Sequence, residues 1–419
     1  MPRGCESSAA SAVSPHRAAA TLRVAIVAGE TSGDALGAAL IGALRERAPQ
    51  IEFRGVAGPA MQAAGCEVLA DAHELALMGL FEPLKHLPRL LRLRAMLLRR
   101  IAAWKPDVFI GIDAPAFNLG LARRFKSLGV ATVQYVSPQV WAWRRGRVRM
   151  IARRCDLVLC LLPFEPEFYR SYAVRAEFVG HPLADQIALS ADPAAARAAL
   201  GLRAGHPVLA LLPGSRVSEV QRLAASFIGA ALEVSRRHPD LQLVAPMANA
   251  PVRAEFERAL AALPTAQRPS FLLSDGQART ALTAADVALV ASGTATLEAL
   301  LCGCPMVAAY RFGAVTALLL RALRVVRLPF FSLPNLLAGE ALVPEFLQEA
   351  VTIKNLSGAI ERALDDLPRR QYLQRRFNTI HESLRAGGAA RAAQAVLQLL
   401  QARGPRDLMQ ESTYTGDVR

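Results

Sequence analysis

What most constrains this chain is an alternation. Short runs of Val, Ile, Leu and Ala are each closed by small or polar residues and followed by a stretch with helical periodicity. Arg23–Ala28 is the first such run, leading through Gly29-Glu-Thr-Ser-Gly-Asp34 into a helix that ends near Arg47. Asp107–Asp113, Val130–Val136, Leu157–Leu162 and Ala176–Val179 repeat the pattern. Strands apolar on both faces belong to parallel sheets covered by helices on either side. A second series opens after Ser190–Ala204, a linker and first helix, with strands Val208–Leu212, Leu241–Ala245, Ser270–Leu273, Val287–Val290 and Pro305–Tyr310. The reading is an α/β fold: two doubly wound domains, 21–190 and 191–380, facing one cleft, with a C-terminal helix over 381–403. Residues 1–20 are Ser/Ala-rich and lack the apolar stretch of a signal peptide; they and 404–419 read as disordered extensions.

Charge narrows the partners. With 49 Lys and Arg against 35 Asp and Glu the formal charge is +14, and only four of the basic residues are lysines. An arginine-rich surface favours phosphate-bearing partners such as nucleotides, anionic lipid head groups or nucleic acid. The mean hydropathy is +0.24, yet arginines interrupt every apolar run before the roughly 18 residues that a membrane span needs. Six cysteines form no zinc spacing and read as reduced core residues of a cytosolic protein. No Asp-x-Asp occurs, so no metal and no cofactor is expected to hold a diphosphate; an arginine and backbone dipoles would do so.

Several positions carry candidate chemistry. Pro213-Gly214-Ser215-Arg216 joins a buried strand to a helix start, where backbone N–H groups and a guanidinium suit an anion; an ordinary crossover with a solvated arginine is the plainer alternative. Ser292-Gly293-Thr294 repeats the arrangement, with Glu298 one turn into the next helix. Asp113 closes a strand where α/β folds place ligands, with Asn118 just beyond it. The loop at Glu30 is either ligand-facing or simply a helix start capped by Ser32 or Asp34. His181 is a general base, a diphosphate ligand or a loop hydrogen bonder. Tyr135–Trp143, which includes Gln139, runs into six arginines by Arg154, a mixture that keeps base stacking open as an alternative. On a helical wheel Leu84, Leu87, Leu91 and Leu98 share a face opposite Lys85, Arg89, Arg92 and Arg99. That is either a basic amphipathic helix on an anionic membrane or a surface helix packing its leucines inward.

These blocks together resemble one family. Ala28–Asp34 (A-G-E-T-S-G-D), Gly111–Asn118 (G-I-D-A-P-A-F-N), Tyr135–Trp143 (Y-V-S-P-Q-V-W-A-W), Phe178–Leu183 (F-V-G-H-P-L), Leu211–Arg216 (L-L-P-G-S-R), Ser292–Glu298 (S-G-T-A-T-L-E) and Leu333–Gly339 (L-P-N-L-L-A-G) resemble lipid-A-disaccharide synthase. The resemblance implies a GT-B glycosyltransferase with Rossmann-like domains and C-terminal helices packing back on the first. It implies transfer from UDP-2,3-diacylglucosamine to 2,3-diacylglucosamine 1-phosphate (lipid X), without metal, at the cytoplasmic face of a Gram-negative inner membrane. It assigns Asp113 as general base with Glu30 in reserve. Arg216, Gly214, Ser215, Ser292, Gly293 and Thr294 fall to the diphosphate, and Glu298 to the ribose. Asn335 and Glu345 approach the donor, while Ser32, Asn118, Gln139 and His181 remain acceptor or loop candidates. Leu84, Leu87, Leu91, Arg89 and Arg92 face lipid. A UDP-sugar epimerase or another GT-B transferase is the nearest alternative. Nucleic acid is not expected as a partner, and a homodimer through the C-terminal helices is left open. Ala116 departs from the family pattern, which leads one to expect a second carboxylate beside Asp113.

Overall fold

The computed structural model describes residues 21–72, 75, 87–143, 145–264, 268–313 and 329–403. Its strands are β1 Leu22–Ala28, β2 Ile51–Ala57, β3 Glu67–Asp71, β4 Val108–Ile112, β5 Ala131–Tyr135, β6 Leu157–Cys160 and β7 Ala176–Phe178. A second set comprises β8 Val208–Leu212, β9 Gln242–Met247, β10 Phe271–Asp275, β11 Val287–Ala291, β12 Met306–Tyr310 and β13 Glu345–Leu347. The helices of the first half are α1 Thr31–Arg47, α2 Pro59–Ala63, α3 Leu87–Trp104, α4 Pro115–Ser127, α5 Val140–Trp143, α6 Val148–Arg154, α7 Glu165–Arg170 and α8 Pro182–Gln186. Those that follow are α9 Pro193–Ala199, α10 Val217–Arg237, α11 Ala250–Ala261, α12 Ala278–Ala284, α13 Thr294–Leu301 and α14 Leu333–Ala338. Three more follow among the described residues: α15 Ile353–Asp365, α16 Leu367–Leu384 and α17 Gly388–Arg403.

Two parallel sheets result, ordered β3-β2-β1-β4-β5-β6-β7 and β10-β9-β8-β11-β12-β13. In the first, winding reverses between β1 and β4, which pair from Val24↔Val108 to Ala28↔Ile112. In the second it reverses between β8 and β11, paired from Val287↔Leu209 to Val290↔Leu212. Contacts divide the chain into two compact units, one up to Thr132 together with the chain from Leu400, the other Val133–Leu399.

Residue type explains the layering. In β8, Leu209 and Leu211 enter one apolar cluster with Val220, Phe227 and Ile360, while Ala210 and Leu212 enter another with Leu297, Leu300 and Phe377. Successive side chains point to opposite faces, so a strand covered on both sides must be apolar throughout. The C-terminal helices return to the first half of the chain. His181 N–H donates to Leu384 O at 2.9 Å, Gly388 N–H to Asp185 Oδ2 at 3.1 Å, and an Arg403 guanidinium N–H to Gly129 O at 3.4 Å.

Two expectations change here. Asp34 caps no part of its own helix: its buried carboxylate accepts the N–H groups of Gly58, Ala60 and Met61 at 2.8–3.0 Å and so closes the N-terminus of α2. Ser32 does not cap either, because α1 begins at Thr31 with Glu30 as an N-cap that makes no side-chain capping bond. On α3 the buried stripe is Leu97, Ile101 and Trp104. Leu91 is 51% exposed, beside exposed Arg89 and Arg92. Leu84 and the side chain of Leu87 lie outside the described residues, as do 1–20, 314–328 and 404–419.

Candidate functional residues at each sheet reversal

At the β1/β4 reversal the chain forms a strained turn. Asp113 and Ala114, directly after β4, both take left-handed backbone angles, φ +50° and +39°. Such residues cost about 1–3 kcal/mol each and persist only where the surroundings impose them. Here two groups impose them. A Cβ on Gly29 would lie 2.4 Å from the Ala114 Cβ, so only glycine lets the loop after β1 come this close. Asn118, wholly buried on the first turn of α4, donates Nδ2–H to the carbonyls of Asp113 (2.9 Å), Ile112 (3.2 Å) and Val27 (3.4 Å). Asn118 thereby ties the ends of β1 and β4 together; it is a structural clamp.

The Asp113 side chain is partly buried, and burial pushes its carboxyl above the usual carboxylate range, with a hydrogen bond from the Ala114 backbone opposing the shift. A raised pKa makes a carboxylate a better proton acceptor. Glu30 is exposed at the neighbouring loop. Arg94 of α3 donates to the Ala116 and Phe117 carbonyls at 3.2 and 3.3 Å and lies over the Phe117 ring, fixing the first turn of α4.

The β8/β11 reversal has a different chemistry. Gly214 takes φ +133°, and Arg216 presents a side chain 66% exposed. The sequence reading expected the N-terminus of α10 to be open to an anion. It is not: Glu219 Oε2 accepts the N–H groups of Ser215 and Arg216 at 3.1 and 3.4 Å, and Oε1 takes an Arg216 guanidinium N–H at 3.1 Å. A glutamate three residues after the N-cap is the spacing of a capping box, and that signal was present in the sequence. The other helix start, α13, carries no side-chain cap; Gly293 and Thr294 are exposed there. Ser292 Oγ–H donates to Phe331 O at 3.1 Å. Glu298 faces Arg279 of α12 at 3.4 Å, and Arg279 also donates to Gln186 Oε1 at 3.3 Å. Nothing local in the sequence marked Arg279, which is brought in by the fold.

Asn335 and Glu345 turn inward. Asn335 is 1% exposed and exchanges hydrogen bonds of 2.9 Å with the Val343 backbone, donating also to Glu345 Oε1 at 2.9 Å. Glu345 further accepts the N–H groups of Phe331 and Ser332 at 3.0 and 2.9 Å. The pair thus fixes the loop before α14, with both side chains engaged by the protein's own backbone and by each other.

The remaining candidates lie after β5 and β7. Gln139 is exposed, next to buried Ser137, whose hydroxyl is 3.0 Å from the Tyr169 hydroxyl. Trp141 is buried and donates its indole N–H to Glu165 Oε1 at 3.0 Å, so it is not a platform for stacked bases. Glu165, 3% exposed, also accepts Leu162 N–H at 3.0 Å; burial pushes its carboxyl up to about 7. His181 is the N-cap of α8: its Nδ1 accepts Leu183 N–H at 3.2 Å, and burial lowers its pKa to about 4, with Asp185 opposing. A neutral ring with Nδ1 so engaged carries its proton on Nε2. It is a hydrogen-bond donor, which corrects the general-base reading. Among the described residues no group of three or more His, Cys, Asp or Glu is arranged to hold a metal ion.

Comparison with solved structures gives the class. A UDP-GlcNAc 2-epimerase from Neisseria meningitidis, bound to UDP-GlcNAc, superimposes with a TM-score of 0.59 at 13% identity, over 91% of this chain and 100% of that one. CalG4, the calicheamicin glycosyltransferase, gives 0.53 at 18% identity, over 92% and 100%. The fold is therefore that of the GT-B transferases and their epimerase kin, two parallel-sheet α/β domains with a reversal in each.

Sequence relatives then define the family within that class. The lipid-A-disaccharide synthetase family matches residues 24–399, and the lipid-A-disaccharide synthase of Alkalilimnicola ehrlichii is 52% identical over 378 residues, 90% of this chain and 98% of its own. The chain belongs to the lipid-A-disaccharide synthase family.

Proposed function

We propose that this chain is an inverting hexosyltransferase that joins UDP-2,3-diacylglucosamine to 2,3-diacylglucosamine 1-phosphate. The products are the β-1,6-linked lipid A disaccharide 1-phosphate and UDP. The observation that carries the reading is the contrast between the reversals: a carboxylate with a raised pKa follows β4, and an exposed arginine with an uncapped helix start follows β8 and β11. Membership of the family supports the substrates.

In this mechanism Asp113 accepts the proton of the acceptor 6-hydroxyl as that oxygen attacks the donor anomeric carbon. The carbon–oxygen bond to the diphosphate breaks, and its electron pair leaves with UDP. Arg216 and the N–H groups at Gly293 and Thr294 stabilise the negative charge that accumulates there. Glu298, held by Arg279, receives ribose hydroxyls. His181 supplies an Nε2–H donor, and Gln139 lies on the acceptor side. Glu30 is the reserve base.

Both substrates carry acyl chains, which calls for work at a bilayer. No helix among the described residues is long and apolar enough to cross one. Exposed Leu91 with Arg89 and Arg92 on α3 supports docking on an anionic leaflet, the cytoplasmic face of the inner membrane. Replacing Leu84, Leu87 and Leu91 with serine should then release the protein from phosphatidylglycerol vesicles while it stays folded. Unchanged partition would remove α3 from the membrane.

The deciding experiment is transfer between the two purified substrates in detergent, with and without chelator. Equal yields of disaccharide and UDP in both arms establish the reaction and its independence of metal. A folded protein that binds UDP but forms no disaccharide would leave a UDP-sugar enzyme with another acceptor.

A further inference from the structure

The loop that offers Arg216 to a diphosphate contains an acid where Coulomb's law would place none. Glu219 is 9% exposed, and its carboxylate takes two backbone N–H groups and a guanidinium N–H from the same three-residue turn. Its Cβ stands 2.5 Å from where a Cβ on Gly214 would fall, so the left-handed glycine and the glutamate are fitted to each other.

Two roles are open to such a group, and they differ in sign. A carboxylate that occupies the phosphate site competes with the ligand, and removing it tightens binding. One that aims the arginine assists the ligand, and removing it loosens binding. Burial decides between them. The Glu219 side chain is 11% exposed and that of Arg216 66%, so the pair turns its acid inward and its cation outward. Driving a three-fold bonded, buried carboxylate from its donors would strand it without partners, which is costly. The guanidinium has five N–H donors, and the single N–H it gives to Glu219 leaves the others for an outer anion.

We propose that Glu219 is a positioning residue for the donor diphosphate, fixing the Gly214–Arg216 turn and holding the Arg216 guanidinium edge-outward. This rests on the UDP-sugar reading of the site. UDP binding is measured by calorimetry on the wild type, Glu219→Gln, Glu219→Asp, Arg216→Ala and the Glu219→Gln/Arg216→Ala double variant. Thermal stability and the KM for each substrate are measured on the same proteins.

Glu219→Gln should weaken UDP by about tenfold, the scale of one misaimed charge-assisted contact. The donor KM should rise and the acceptor KM stay put, Glu219→Asp should recover part of the affinity, and the double variant should bind no worse than Arg216→Ala alone. That last result separates positioning from a general loss of structure, which would add to the arginine deletion. Tighter UDP binding by Glu219→Gln, unchanged binding, or full additivity with Arg216→Ala overturns the proposal. Absence of UDP binding by the wild type overturns the donor-site reading, and this proposal with it.

Discussion

The two sheet reversals solve opposite problems with the same topology. After β4 the left-handed residues are Asp113 and Ala114, which bear side chains and are strained there, while Gly29 makes room opposite. After β8 the left-handed residue is Gly214, which is unstrained, and the side chain that packs against it is Glu219. The first reversal uses its backbone conformation to present one carboxylate. The second turns its backbone N–H groups inward onto Glu219 and leaves the Arg216 guanidinium outward. A parallel-sheet reversal opens a crevice either way; residue type at the turn decides whether a carboxylate or a guanidinium is presented there.

The sharpest way to break this contrast is Asp113→Asn. General-base catalysis contributes about 10²–10⁴-fold, so transfer should fall by that order while the dissociation constant for UDP stays within about twofold of the wild type, by the same division of labour. Steady-state transfer and calorimetry on one preparation read both. Arg216→Ala should do the reverse in emphasis, weakening UDP by roughly 10–100-fold, the range of one or two lost charge-assisted contacts. Arg216→Lys should recover only part of it, since an ammonium lacks the planar fork. Variants that lose binding and turnover together at both positions would mean that the reversals do not divide the work.

The glycines offer a milder test. Gly29→Ala adds a methyl 2.4 Å from the Ala114 Cβ and should cost about 1–3 kcal/mol, as overpacking does, with transfer reduced and UDP affinity kept. Gly214→Ala forces a side chain onto φ +133° and into Glu219, and should reduce UDP affinity instead. Denaturant midpoints, UDP titration and transfer rates on the two variants check the crossing.

What the sequence disclosed follows the same physics. β1, β4, β8 and β11 are apolar almost throughout because both faces are covered, and their loops stand out as small residues between a strand and a helix. β2 and β3 went unread. Glu52 and Arg54 in β2, and Glu67 and Asp71 in the edge strand β3, interrupt the apolar pattern where the sheet meets water. Asp113 and Arg216 were legible because strand ends fix their place. The partners of Glu298, Trp141 and Asp34 were not, because Arg279, Glu165 and the start of α2 reach them only through tertiary packing. Charge could be read from the residues, whereas whether it faced a ligand or capped a helix could not: Asp34, Glu219 and Glu345 all proved to close backbone N–H groups.

The smallest expected effect concerns stability rather than rate. Burial raises the Asp113 carboxyl above its usual range, so in the pH interval between the unfolded and folded values the native state holds the proton more tightly. Stability from this group is then complete below the unfolded value and is lost as pH rises through the folded one. An asparagine at the same position has no charge to bury. Asp113→Asn should accordingly be more stable than the wild type at neutral pH, and the gain should vanish in acid once the aspartate is protonated in both states. Denaturant midpoints measured from neutral pH downward read the difference directly. A gain that persisted unchanged into acid would trace to relief of the left-handed turn rather than to charge. In that case the first reversal would be set apart from the second by its backbone alone, and not by the proton affinity of the carboxylate it presents.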